Sequence, residues 1–182
     1  MNREVISTII FALATFTLAA QVFIIFLAII LLLSRLDKNN KAIKQIVRFF
    51  SENSLSFAFL ISVGVTLGSL YLSEIAHFVP CKLCWFQRIF MYPQVLLLGV
   101  ASVKNDFGIK KYIIPMSVVG FLIAVYQYVL QMSPIPLPCT DEIASCAVKE
   151  FVEFGYITIP MMSLTSFLLI LILMALPNRK YD

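Results

Sequence analysis

The sequence predicts an all-α membrane protein, a four-helix transmembrane bundle plus one additional N-terminal transmembrane helix. Three observations carry that prediction. Apolar residues make up 60% of the 182 residues and charged residues 13%, against about 45–50% and about 25% in soluble domains. They gather into five runs of roughly 20 residues or more, the length that crosses a hydrocarbon layer of about 30 Å. Most Lys and Arg residues fall in alternate connections between these runs. The formal charge of +4 is modest and scattered, so no nucleic-acid partner is expected. No Gly-rich phosphate loop, HExxH or Ser-centred elbow is present.

The first run extends from about Val5 to Leu33. It is longer than a signal-peptide core of about 7–15 residues and reads as a retained helix. Arg35 to Arg48 follows, with Ile43, Ile46, Val47 and Phe50 at helical spacing among basic residues. Two readings fit it, an amphipathic helix on the membrane surface and a solvated basic linker. The second span, Leu55 to Phe78, contains Gly64 and Gly68. A GxxxG step permits close helix contact, though chance places such steps in many apolar runs. The third span, Cys84 to Val103, contains Pro93, where a kink is expected. The fourth covers Tyr112 to Gln131, with Gln127 and Gln131 on one face and interhelical hydrogen bonding as their default role. The fifth covers Tyr156 to Leu176. The resulting organisation is 1–54 for the extra helix and its basic segment, 55–176 for the bundle, and 177–182 for a tail.

Ten of the 14 Lys and Arg residues lie in segments 34–54, 104–111 and 177–182. That asymmetry predicts those segments on the cytoplasmic side of the membrane and the remaining connections on the outer face. The outer loop alternates proline from Ser133 to Pro138, which favours an extended strut. After it, Val148, Phe151 and Val152 separate from Lys149, Glu150 and Glu153, as in a short amphipathic helix on the membrane.

The four cysteines form two close pairs, Cys81/Cys84 and Cys139/Cys146, both predicted on the oxidising outer side. Cys81, Cys84 and Arg88 sit at i, i+3 and i+7, on one helical face. At a helix start, backbone N–H groups and the helix dipole stabilise a thiolate, and Lys82 acts in the same sense. Asp141 and Glu142 act oppositely on Cys139. No metal is expected, because the Cys139/Cys146 spacing does not suit a structural zinc site. Structural disulfides remain an alternative, although so small a ring as Cys81–Cys84 contributes little chain-entropy stabilisation. Arg88 reads either as a cation reaching for lipid headgroups or as a donor to a quinone carbonyl. His77 reads as a proton carrier for that quinone or as an interfacial cap.

These residues resemble the DsbB/BdbC family of membrane thiol oxidases. The resemblance rests on Pro80-Cys81-Lys82-Leu83-Cys84-Trp85-Phe86-Gln87-Arg88 with Met91-Tyr92-Pro93, on the Pro138-Cys139 to Cys146 loop, and on Phe154-Gly155-Tyr156-Ile157-Thr158-Ile159-Pro160. The last stretch is similar to the BdbC-type branch of Gram-positive bacteria. The resemblance covers about residues 55–176 and leaves the first helix outside it; it implies a four-helix transmembrane bundle, to which the first span is an addition, in a bacterial cytoplasmic (inner) membrane.

It implies reoxidation of an extracytoplasmic thioredoxin-like thiol oxidase, DsbA- or BdbD-like, with electrons passed to a membrane quinone, menaquinone or ubiquinone. Cys139 would form the mixed disulfide with that partner, and Cys146 would be its disulfide mate. Cys81 would take electrons from the loop pair, and Cys84 would face the quinone. Arg88 would contact the quinone, with His77 and Gln87 nearby. Two other functions stay open: a vitamin-K-epoxide-reductase-like quinone reductase, and a non-catalytic scaffold with structural disulfides.

Overall fold

The computed structural model describes residues 3–36, 40–133 and 146–176. Helix α1, Arg3–Leu36, is a single 34-residue helix. Its buried residues Ile10, Ala14, Thr17 and Leu27 recur at helical spacing and form one stripe, as a helix packed on one side requires. Helix α2, Lys41–Glu52, starts at Asn40, whose side chain accepts from the backbone N–H groups of Ala42 and Ile43. Its half-buried residues include Ile43, Ile46, Val47 and Phe50, while Lys41, Lys44 and Arg48 are exposed. The basic segment is therefore an amphipathic helix and not a solvated linker.

Helix α3, Ser54–Leu70, passes directly into a π-helical turn, Tyr71–Ile75. The second span thus ends as a regular helix earlier than its apolar run suggests. Helix α4, Lys82–Lys104, runs unbroken through Pro93. Beside the proline, Gln94 donates to Phe90 O at 2.9 Å and accepts from Ser117 Oγ of the next helix at 3.1 Å. Asn105 closes α4 in the left-handed conformation. A short 3-10 turn capped by Asp106 then leads to helix α5, Lys110–Met132.

The segment from Val148 to Thr158 is not the amphipathic helix that its spacing suggests. Glu153 and Ile157 instead pair as an antiparallel bridge, with two backbone hydrogen bonds of 2.9 Å. Phe154 and Gly155 between them have φ of 51° and 79°. Left-handed backbone in consecutive residues stops a helix, and glycine accepts it without cost to a side chain. Helix α6, Ile159–Ala175, therefore starts at a proline-bearing first turn instead of at Tyr156. The proline strut and Cys139 lie outside the described residues.

Among the described residues, four helical stretches (α1, α3 with its π turn, α4, and α5 with the preceding 3-10 turn) are long and apolar enough to cross a membrane, and α6 adds a shorter apolar helix of 17 residues. Helices α3, α4, α5 and α6 pack in a ring, and α1 lies outside it against α6. One end of the ring is closed by Leu55, Ala58, Leu98, Ala101, Phe107, Ile113, Ile170 and Leu173, all buried. A Cβ at Gly120 would collide with the buried Phe167 ring, so glycine sets the close approach of α5 to α6. The other end carries the cysteines.

Candidate redox site

The chain reaches the first cysteine pair by leaving helix geometry abruptly. After the π turn, His77 takes φ of 58°, and Pro80 biases Val79 towards extended backbone. Cys81 is the residue preceding α4, with φ −70° and ψ 170°, so its thiol stands at the helix mouth. Cys84 follows one turn inside. The Cys81 thiol donates to Cys84 Sγ at 3.3 Å. Gln127 of α5 donates its amide N–H to both sulfurs, at 3.2 Å to Cys81 and 3.3 Å to Cys84. The same amide's Oε1 accepts from Gln87 Nε2 at 2.7 Å. Gln87 and Gln127 are both buried, and the bond from Gln87 holds the Gln127 amide with its N–H directed at the thiols.

Cys146 is buried, and it lies close enough to Cys81 to act on that thiol. One cysteine of the second pair thus stands beside the first pair. The hydrogen bond to Cys84, then burial, push the Cys81 thiol well above the usual thiol range. The helix start and Lys82 favour the opposite shift, but a proton held between two close sulfurs outweighs them.

Arg88 is held by α3. Its Nε donates to Ser69 Oγ and a terminal nitrogen to Ser69 O, each at 3.0 Å. Tyr92 OH also reaches Ser69 Oγ, at 3.4 Å, and the guanidinium lies 5.2 Å from the centre of the Trp85 ring. Arg88 is therefore braced against α3, with its side chain at the bundle's interior wall. Two of its five N–H donors are engaged by Ser69 among the described residues, which leaves donors for a ligand oxygen.

Cys81, Cys84, Gln87, Arg88 and Gln127 share the wall of one cavity of about 820 Å³. Residues of α1, α3 and α6 complete it, most of them apolar. Three lining residues present buried polar atoms that have no hydrogen-bond partner among the described residues: Tyr71 OH, Gln131 Oε1 and Thr158 Oγ1. Unpaired buried polar atoms are rare and cost about 1–3 kcal/mol each unless a ligand or water satisfies them.

The residues singled out by sequence are thus largely brought together. Cys81, Cys84, Cys146, Arg88 and Gln87 converge. His77 is exposed and is not among the described residues lining the cavity. Gln127 and Gln131 do bond across elements, Gln131 to Val148 O at 3.0 Å, but contact of Gln127 with the thiols has no signature in its spacing. The contacts of Ser69, Tyr71 and Thr158 likewise have no signature in the sequence, because each is an ordinary polar residue in an apolar stretch.

The chain's similarities agree with this geometry. A family model described as disulfide bond formation protein DsbB matches residues 51–176. Disulfide bond formation protein C of Bacillus subtilis (strain 168) is 43% identical over 122 residues, covering 65% of this chain and 88% of that protein. A probable disulfide formation protein of Coxiella burnetii (strain RSA 493 / Nine Mile phase I) is 40% identical over 143 residues, covering 74% and 97%. One from Deinococcus radiodurans is 36% identical over 139 residues, covering 71% and 91%. No solved structure matches the chain. The apolar helices, the convergent cysteines and these similarities place the chain in the DsbB family of disulfide bond formation proteins.

Proposed function

We propose that this integral membrane protein is a thiol:quinone oxidoreductase, which reoxidises an extracytoplasmic thioredoxin-like thiol oxidase and delivers the electrons to menaquinone or ubiquinone. One observation carries the reading: a close dithiol and an internally braced arginine share the wall of a largely apolar cavity, with the buried Cys146 beside Cys81. The asymmetry of Lys and Arg supports an outward-facing redox end at the bacterial cytoplasmic membrane.

The lining fits a quinone. Its apolar walls suit a lipid-soluble ring and tail, Arg88 offers N–H donors, and the Tyr71 and Thr158 hydroxyls are buried without partners among the described residues. When bound, the quinone supplies the acceptor for two electrons and two protons. His77 stands apart from the lining, so we assign the oxygen contact to Arg88, with Gln87 acting through Gln127.

The protein's own steps are thiol–disulfide exchanges. The reduced partner attacks the Cys139–Cys146 disulfide at Cys139, forming a mixed disulfide and releasing Cys146 as a thiolate. The partner's second thiol resolves the mixed disulfide, leaving the partner oxidised and Cys139 reduced. Cys146, poised beside Cys81, attacks Cys81 of the Cys81–Cys84 disulfide and releases Cys84 as a thiolate. Attack of Cys139 on the resulting Cys81–Cys146 bond restores the loop disulfide and leaves Cys81 and Cys84 reduced. The Gln127 N–H remains directed at both sulfurs and stabilises charge on whichever leaves.

The test is oxidation of a reduced thioredoxin-like protein by purified protein with added ubiquinone or menaquinone, repeated with each cysteine replaced by serine. Loss of quinone-coupled turnover in all four variants is the expected result. Full turnover by Cys139→Ser or Cys84→Ser would overturn the relay.

A further inference from the structure

The family match begins at residue 51, so α1 stands outside the region matched by the family model. It nevertheless supplies one wall of the redox cavity, through Ile9, Leu13, Phe16, Thr17 and Ala20. These positions are i, i+4, i+7, i+8 and i+11, a single face of the helix. Thr17 alone of them is polar, and its hydroxyl is already spent on Leu13 O at 2.9 Å. The wall is therefore hydrocarbon in character, in contrast with the polar groups around Arg88.

The helix is fastened where that face ends. Gln21 accepts from Tyr156 OH at 2.6 Å and donates to Thr165 Oγ1 at 3.2 Å. Using both ends of one amide in an apolar setting fixes its position and rotation relative to α6. Across the cavity, the GxxxG pair divides its roles. A Cβ at Gly68 would lie 3.4 Å from the Leu13 side chain, next to Ser69 that braces Arg88. A Cβ at Gly64 would meet nothing within 4 Å, because that position opens on the cavity. Val79 and Val148, lining the cavity at the cysteine end, are exposed; away from that end the large exposed lining side chains are Phe16 at 74% on α1 and Leu67 at 62% on α3. Phe16 and Leu67 mark an opening towards lipid between these helices.

We propose that α1 is part of the quinone site, the wall along which the isoprenoid tail lies between the cysteine end and the Phe16/Leu67 opening. The inference rests on the quinone reading above. A tail in that position makes α1 a determinant of affinity for tailed quinones, while the ring is held by residues of the matched bundle.

The experiment is a binding titration on the full chain in detergent, read as quenching of Trp85, the single tryptophan. It compares a tail-less dimethoxybenzoquinone with its decyl-tailed homologue. Thr17→Phe fills the wall, and Phe16→Ala only removes atoms, so it remains informative if the larger side chain disturbs folding. Val22→Phe, on the exposed side of α1, is the control. Each wall variant should weaken the tailed quinone by about tenfold, the equivalent of roughly two buried methylenes, with the tail-less one within about twofold. A photoreactive group at the tail end should label peptides from residues 3–36. Unchanged affinity for the tailed quinone in both wall variants, or equal loss for both quinones, would overturn the proposal. Binding of neither quinone by the unaltered protein would instead remove the quinone reading on which it rests.

Discussion

The two ends of the helix ring are built from the same kinds of helix but finished differently. At one end, Leu98, Ile113, Ile170 and Leu173 are fully buried against one another, and Gly120 admits Phe167. At the other, the helices stand around about 820 Å³ of space edged with sulfur, amide and hydroxyl groups. Close packing lowers free energy through burial and dispersion. A cavity gives that up, and unpaired polar atoms add to the loss. The packed end thus carries stability, and the hollow end spends part of it on a binding site.

That division can be broken or sharpened by substitution. The largest effect belongs to Cys84→Ser, which should reduce quinone-coupled turnover to background in a thiol-oxidation assay and leave the melting temperature within about 2 °C. At the packed end the pattern reverses. Leu98→Ala should cost about 2–5 kcal/mol of stability, followed by denaturant unfolding in detergent, with quinone affinity within about twofold. A large loss of affinity there would show that the two ends are not separable.

Arg88→Ala removes both bonds to Ser69 and the donors facing the cavity. At about 1.5–3 kcal/mol for hydrogen bonds to charged groups, apparent quinone affinity should fall roughly tenfold to a hundredfold. An unchanged quinone dependence would strip Arg88 of its assigned contact. Arg88→Lys should restore little, because a single ammonium cannot span Ser69 Oγ and O as the guanidinium fork does.

A milder result is expected for Gln127→Leu, which deletes the N–H directed at both sulfurs. The rate of disulfide exchange between the two cysteine pairs should drop about threefold to tenfold, the range of one hydrogen bond of about 0.5–1.5 kcal/mol. Stopped-flow exchange that matches the unaltered protein would make Gln127 a packing residue. Gly64→Ala should do least. Its methyl enters open cavity, so stability should move by less than about 1 kcal/mol, and a larger loss would mean that the space is filled.

Much of this was legible in the sequence, for identifiable reasons. The apolar runs are long, and length alone separates a membrane span from a buried strand. The stripe of Ile43, Ile46, Val47 and Phe50 has the period of a helix with one covered face, which α2 adopts. Cys81, Cys84 and Arg88 declare themselves because thiols and a cation are conspicuous in apolar surroundings. Val148 to Glu153 misled because helical spacing over six residues is too short to outweigh a left-handed Phe154-Gly155 corner. Ser69 and Thr158 were invisible because their importance comes from partners or the lack of them across the bundle. The GxxxG step was half right: Gly68 admits a neighbour and Gly64 opens a space.

The most direct measurement of the central claim is anaerobic stoichiometry. Purified protein, a reduced thioredoxin-like partner and ubiquinone or menaquinone are mixed, and quinol and partner disulfide are counted together. The account predicts one quinol for each disulfide, with neither formed when Cys84 is replaced by serine. Partner disulfide accumulating without quinol, or quinol forming in the Cys84→Ser protein, would contradict it.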